Sequence, residues 1–374
     1  MRFFRPTPVR IQAYFGYRSR SRLVLRARAL RSAAGTFSGE QKPRGKLPAL
    51  RVMFAQFASR EVAGVRVTLR IEGPDGVLLQ AEAVSDAEGY VRFDCALEPD
   101  WALPEHPAWE TADLTWANAE GPQTVPAYIL APGLDSRMAV ISDIDDTIIE
   151  TGITGGLRSL ARNWRRVLAQ MPDERVAVPG ANAFYGALGG GPVPHAGERR
   201  AAKPVTATHR PFFYVSSSPW NLFSYLVAFQ RTKKLPLGPL LLRDWGLNRK
   251  TFGSSSHGAH KAAAIDGILA MYPELRFALI GDDTQGDLPA FADVVRRFEG
   301  RIAAVFVRTA AGEALTAEEQ AGVEAIRAAG VSLWLGDSFA VGEEFLHSLG
   351  FTADGETEQI VKAVEKVDSD APLA

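Results

Sequence analysis

The sequence predicts an α/β protein whose parallel sheet is covered by helices on both faces, preceded by an all-β sandwich domain. Three observations predict it. The first third alternates apolar and polar residues with the period of a half-buried strand, with turn residues between the alternating runs. Beyond Ala131–Ser136 the rhythm changes to short, wholly apolar runs separated by helical stretches, which is the pattern of a buried parallel sheet. The chain also has 374 residues, more than the roughly 250–300 at which a single core stops growing.

In the first third, Val65, Val67, Leu69 and Ile71 alternate within Gly64–Ile71. Gly73-Pro74-Asp75-Gly76 supplies a turn, Val77–Val84 a return strand, Ser85–Gly89 a second turn and Tyr90–Phe93 a further strand. Trp101, Trp109 and Trp116 read as core or rim of this domain. The segment Ala131-Pro132-Gly133-Leu134-Asp135-Ser136 reads as a hinge. After it come six expected parallel strands, at Met138–Ile141, Phe212–Val215, Leu240–Leu242, Phe277–Ile280, Ile302–Val307 and Val331–Leu335. Helices are expected at Leu157–Met171, Trp220–Thr232, Ala259–Met271 and Ala317–Ala329. The run Gly186–Gly191 reads as a loop without the spacing of a dinucleotide site. From Asp354 the chain is charged and poor in aromatics, a helix fraying into a tail. The expected domains are therefore 1–135, 136–350 and 351–374.

Composition narrows the functional classes. Lys+Arg 42 against Asp+Glu 43 leaves a net charge of -1, which offers no general attraction to nucleic acid. A single cysteine, Cys95, rules out an internal disulfide and a multi-cysteine zinc site. There is no apolar run of the ~18 residues a membrane span needs, and no apolar core of a secretory signal at the start. The expectation is a cytoplasmic protein, at most peripheral at a membrane surface. Nine arginines from Arg2 to Arg31 precede the first acid, Glu40. They fit either a patch for anionic lipid or the solvated face of a strand, in which Leu23, Leu25, Ala27 and Ala29 point the other way; the second is the plainer reading.

Chemistry concentrates in the second domain. Ile141-Ser142-Asp143-Ile144-Asp145-Asp146-Thr147 places acids at the carboxyl end of a buried strand, the edge where open α/β sheets bind ligands. An aspartate there, Asp143, can serve as a nucleophile that takes up a phosphoryl group. Asp145, two residues on, can protonate a leaving oxygen and later activate water. A second apolar strand, Phe277–Ile280, runs into Gly281-Asp282-Asp283-Thr284-Gln285-Gly286-Asp287. Carboxylates gathered from both strands repel by roughly 4 kcal/mol per pair at about 4 Å and an effective dielectric near 20. A hard cation relieves this, and all-oxygen ligation with room for phosphate favours Mg²⁺. Asp143, Asp145, Asp282, Asp283 and Asp287 are the candidate ligands. Ser216 and Ser217, at the end of Phe212–Val215, and Lys261, early in a helix, are candidates for phosphate binding. Thr147 and Trp220 are candidates for substrate contact. His257 and His260 stand one turn apart, but without a partner motif they read as local structure.

Taken in order, hhhh-D-x-D-x-T, hhhh-S, a helical lysine and hhhh-G-D-x-x-x-x-D resemble the four motifs of haloacid dehalogenase-like phosphatases. The resemblance implies a Rossmann-like parallel sheet, Asp143 as nucleophile and metal ligand, and a metal contact from the Asp145 carbonyl. The strings SDIDDTI, YVSSSPWNLF and LIGDDTQGD, joined to an N-terminal β domain, are similar to the actin-patch-protein-type phosphatidate phosphatases, relatives of the lipins. That likeness implies Mg²⁺-dependent hydrolysis of phosphatidate to diacylglycerol and phosphate through an aspartyl-phosphate. Asp283 departs from the pattern, where a small polar residue is expected. Two alternatives stand beside this reading: a phosphatase of a soluble phosphomonoester, and a phosphatidate-binding module without turnover.

Overall fold

The computed structural model describes residues 7–31, 60–74, 76–144, 147, 178, 180–193, 205–243, 257–283, 286–309 and 314–339. The expected helix Leu157–Met171, the C-terminal tail, Arg2, Arg5, Asp145 and Asp146 lie outside them. The chain divides into two compact units. One comprises Met1–Leu103, Trp109–Ala131 and Asn221–Tyr225; the other comprises Pro104–Ala108, Pro132–Trp220 and Leu226–Ala374.

The first unit carries β1 (Val9–Ala13), β2 (Gly16–Arg18), β3 (Arg22–Arg31), β4 (Arg60–Glu61), β5 (Arg66–Gly73), β6 (Gly76–Val84), β7 (Tyr90–Ala96), β8 (Ala108–Asn118) and β9 (Gly121–Ala131). All nine belong to one hydrogen-bonded sheet, antiparallel except for the β2–β9 pair. The ten-residue β3 joins the strands, pairing with β1 and β2 and also with β7. Alternation in β3 and β5 sends Leu23, Leu25, Ala27, Val67 and Leu69 into one apolar cluster with Phe93, Leu114 and Ile129. Trp109 and Trp116 are buried, and the Trp116 indole N–H donates to the Val9 carbonyl at 3.0 Å.

The early arginines divide. Arg26 is exposed on β3, as the face of a strand should be, and Arg22 pairs with Asp94 across the β3–β7 ladder. Arg18 and Arg28 are buried instead. Arg28 donates to the Glu88 carbonyl and to Glu61, and lies over the Tyr90 ring. Arg18 grips Glu110 with two donors, one at 2.6 Å, and also reaches the Ala102 and Ser19 carbonyls. Burial of a guanidinium is tolerated only with such a full set of acceptors.

The second unit contains a six-stranded sheet, β10 (Met138–Asp143), β11 (Phe212–Pro219), β12 (Leu240–Arg243), β13 (Arg276–Asp282), β14 (Ile302–Arg308) and β15 (Ser332–Gly336), in the order β12-β11-β10-β13-β14-β15. Every pairing in it is parallel. The six strands lie where the apolar runs predict them. β10 is buried along its whole length, the condition of a strand with both faces covered. Five helices are described: α1 (Ala181–Gly189), α2 (Phe223–Thr232), α3 (His257–Met271), α4 (Asp287–Arg297) and α5 (Ala317–Ala328). A short 3₁₀ turn, Trp220–Leu222, precedes α2, so the helix expected from Trp220 begins later. α1 corrects the reading of Gly186–Gly191 as loop, since its first four residues close a helix. No described helix is long and apolar enough to cross a membrane.

Arg18 provides a test of the first unit. Arg18→Met removes a guanidinium that is 3% exposed and leaves Glu110 without its partner. Because Glu110 retains access to water, the expected cost is about 2 kcal/mol, below the full penalty for a buried pair. Urea unfolding of the variant should show a correspondingly earlier transition.

Candidate active site

The central strand β10 lies between β11 and β13, so the carboxyl ends of three neighbours meet. Asp143 pairs in register with Val215, and the next residue on β11 is Ser216. Ser142 pairs with Ile280, two residues before Asp282 on β13. The chain bends after Asp282 into α4, whose first residue is Asp287. α3, which packs on β11, brings Lys261 to the same edge.

Lys261 is the centre of the arrangement. It is 1% exposed, and its Nζ lies 3.0 Å from Asp143 Oδ1 and 2.5 Å from Asp287 Oδ1. Burial by itself would push the ammonium down, but the carboxylates of Asp143, Asp287 and Asp282 outweigh it and hold the group well above the usual lysine range. Lys261 is therefore charged at any physiological pH. Thr147 is buried and bridges the acids, its Oγ1 lying 3.0 Å from Asp282 Oδ2 and 3.3 Å from Asp143 Oδ2. One hydroxyl proton can satisfy only one of them at a time.

Asp287 has both oxygens engaged. Oδ1 accepts from Lys261, and Oδ2 accepts from the Asp282 backbone N–H at 3.1 Å. This close approach requires Gly281. A Cβ there would fall 2.8 Å from the Phe291 ring and closer still to Asp287 Oδ2. Beneath Asp143, Ser142 Oγ donates to the Asp143 carbonyl at 2.6 Å and meets the Tyr185 hydroxyl at 2.7 Å. Tyr185 comes from α1, and burial, moderated by the Ser142 bond and reinforced by Asp143, holds its hydroxyl protonated. Sequence reasoning missed Tyr185; its only signal is an aromatic in a segment rich in glycine.

The structure brings together Asp143, Lys261, Asp282, Asp287 and Thr147. Ser216 and Ser217 are buried at the end of β11, where Ser216 Oγ accepts from the Ser218 N–H at 2.9 Å. Asp283 is half-buried and donates its N–H to the Arg308 carbonyl. Trp220 is 3% exposed, a packed rather than open side chain. His260 joins no metal-ligating cluster among the described residues.

Asp143, Asp282 and Asp287 each offer an oxygen within 4.8 Å of the others. Three buried carboxylates converge on one ammonium, and every ligand atom they offer is oxygen. This donor set fits a hard divalent cation.

Residues 138–309 match the family described as "Phosphatidate phosphatase APP1, catalytic domain". This segment is similar to that family, and it contains every residue of the cluster. Among curated proteins, the chain is 30% identical over 186 residues to phosphatidate phosphatase APP1 of Saccharomyces cerevisiae, covering 50% of this chain and 28% of that protein. It is 23% identical over 236 residues to an uncharacterised protein of Schizosaccharomyces pombe, covering 62% of this chain and 35% of that one. The matches thus span about a third or less of either relative's length. A β-glucuronidase structure from Bifidobacterium dentium aligns at 10% identity over 88% of this chain and 61% of that one, with a TM-score of 0.22. That score carries no argument about the fold.

Two substitutions test the cluster. Gly281→Ala should displace Asp287 and cost about 1–3 kcal/mol through overpacking, seen as a lowered thermal midpoint. Lys261→Met removes the ammonium held between Asp143 and Asp287, and should cost about 3–5 kcal/mol in urea unfolding without divalent cations.

Proposed function

We propose that this chain is a Mg²⁺-dependent phosphatidate phosphatase that works through an aspartyl-phosphate on Asp143, in a sheet of the haloacid dehalogenase-like kind. The observation that carries the reading is the buried Lys261 ammonium held between Asp143 and Asp287, within an APP1-type segment. A purely structural ion pair would need one acid, whereas here three converge at the ligand-binding edge of a parallel sheet.

In this mechanism an Asp143 oxygen attacks phosphorus, and the bond from phosphorus to the glycerol oxygen breaks. Asp145 gives its proton to that oxygen, and diacylglycerol leaves. The Asp145 carboxylate then takes a proton from water, whose oxygen attacks the phosphorus of the acyl phosphate. Phosphate departs and Asp143 is restored. Lys261, already protonated, supplies positive charge to the transferring group without exchanging a proton. Ser216 and Ser217 line the strand end nearest to Asp143 and are the proposed phosphate-binding residues. Asp287 fixes Lys261 and the Asp282 backbone. Asp143 and Asp282 would hold the magnesium ion, whose chemistry is to neutralise charge on phosphoryl oxygens. The substrate side of the proposal is a peripheral enzyme at an anionic membrane surface on the cytoplasmic side.

The test is phosphate release from phosphatidate in mixed detergent micelles, with and without Mg²⁺. Release should require magnesium and fall by more than about 10³-fold in Asp143→Asn. Turnover of a small aryl phosphate with none of phosphatidate would keep the chemistry and move the substrate to a soluble phosphomonoester. Lipid binding without turnover of any phosphate ester would leave a binding module.

A further inference from the structure

Within the second unit, a different set of side chains converges away from the acidic cluster. His106, Asp135 and His209 each offer a ligand atom within 4.8 Å of the other two. They come from three loops far apart in sequence. His106 Nδ1 lies 2.6 Å from Asp135 Oδ2, and the His106 and His209 rings stand edge to face with centroids 5.8 Å apart. From this geometry we propose that His106, Asp135 and His209 form a second metal site, which takes an imidazole-preferring divalent ion of the zinc type.

The backbone under the three residues is fixed. The Leu134 N–H donates to the Pro104 carbonyl at 2.8 Å, and the Asp135 N–H to the Glu105 carbonyl at 3.3 Å, which ties the His106 and Asp135 loops together. Gly133 permits the approach: a Cβ there would lie 2.7 Å from the His106 backbone and closer still to Asp135 Oδ1. Ser136 Oγ accepts from the Gly133 N–H at 3.0 Å and closes the turn. On the third loop, the His209 N–H donates to the Gly191 carbonyl at 3.2 Å, and the Arg210 N–H to the Gly189 carbonyl at 2.9 Å.

Chemistry selects the ion. Two imidazoles and one carboxylate suit zinc and its neighbours rather than magnesium, which prefers oxygen alone. Three protein ligands also leave a coordination position for water. A tetrahedral ion with bonds of about 2.0–2.1 Å keeps its ligand atoms roughly 3.3 Å apart. The His106–Asp135 pair therefore needs to open by less than about 1 Å for an ion to replace the shared proton. His106 and Asp135 are exposed and His209 half-buried, which gives an ion free entry. The consequence would be structural: the ion would clasp the loops around His106 and Asp135 to the end of α1, the helix whose Tyr185 meets Ser142.

The experiment is calorimetric titration of the full chain with Zn²⁺ in excess Mg²⁺, on wild type, Asp143→Asn and a His106→Gln/His209→Gln double variant, alongside thermal unfolding of each. One zinc ion per chain is expected in wild type and in Asp143→Asn. In the double variant, affinity should fall by more than the ~10–100-fold that loss of an outer-shell partner costs. Zinc should raise the unfolding midpoint of the first two proteins alone, since an ion bound only by the folded state stabilises it. Zinc binding that survives the double substitution, that disappears in Asp143→Asn, or that is absent from wild type would overturn the proposal.

Discussion

A charged amine with almost no access to water sets the terms for the second unit. Lys261 cannot be buried unless several acids offset the loss of hydration, and Asp143, Asp282 and Asp287 cannot be gathered unless something offsets their repulsion. Each is the condition for the other. Lys261 comes from α3, Asp143 from the end of β10, Asp282 from the end of β13 and Asp287 from the start of α4. Only a sheet that places β10 between β11 and β13, all parallel, delivers these positions to one edge. The ion cluster therefore depends on strand order, and strand order is upheld by the apolar strands beneath it.

The surroundings remove the remaining freedom of the carboxylates. Thr147 ties Asp143 to Asp282 from one side, while the Asp282 N–H and Lys261 hold both oxygens of Asp287. Ser142 and Tyr185 hold the Asp143 backbone from below. Gly281 contributes by having no side chain, which lets α4 start directly against the strand end. A buried polar network satisfied in this way is rigid, and rigidity is what an electrostatic site needs, because preorganised charges lose nothing to reorientation when a substrate arrives.

The parts of this design differ in how openly the sequence displays them. The six parallel strands are legible because burial on both faces writes each one as an unbroken apolar run. The acids are legible because they follow two of those runs directly. α1 is not, since Gly186 and Gly189 lower helix propensity by about 1 kcal/mol each; burial of Phe184, Tyr185 and Leu188 overrides it. α4 is obscured by Pro289 in its first turn, a place a helix tolerates, although Leu288, Phe291, Val294 and Val295 keep the period of a buried face. Arg18 and Arg28 read as solvated because propensity says nothing of acceptors that lie 92 and 33 positions away in Glu110 and Glu61. The Lys261–Asp287 pair and the His106–Asp135–His209 group are invisible for the same reason. Tertiary pairs leave no local periodicity.

Those two groups differ in a way that bears on how one chain could use two kinds of ion. The acidic cluster is wholly buried and offers only carboxylate oxygen, with an ammonium already occupying part of its charge. A soft or borderline ion gains little there, while a small hard ion that keeps its waters loses little. The histidine group is open to solvent and offers nitrogen as well as oxygen, so a hydrated hard ion has no reason to prefer it over water. Zinc has such a reason, because imidazole binds it better than water does. Selection between the proposed sites would thus follow from ligand type and burial alone, with no need for a device that tells the two ions apart.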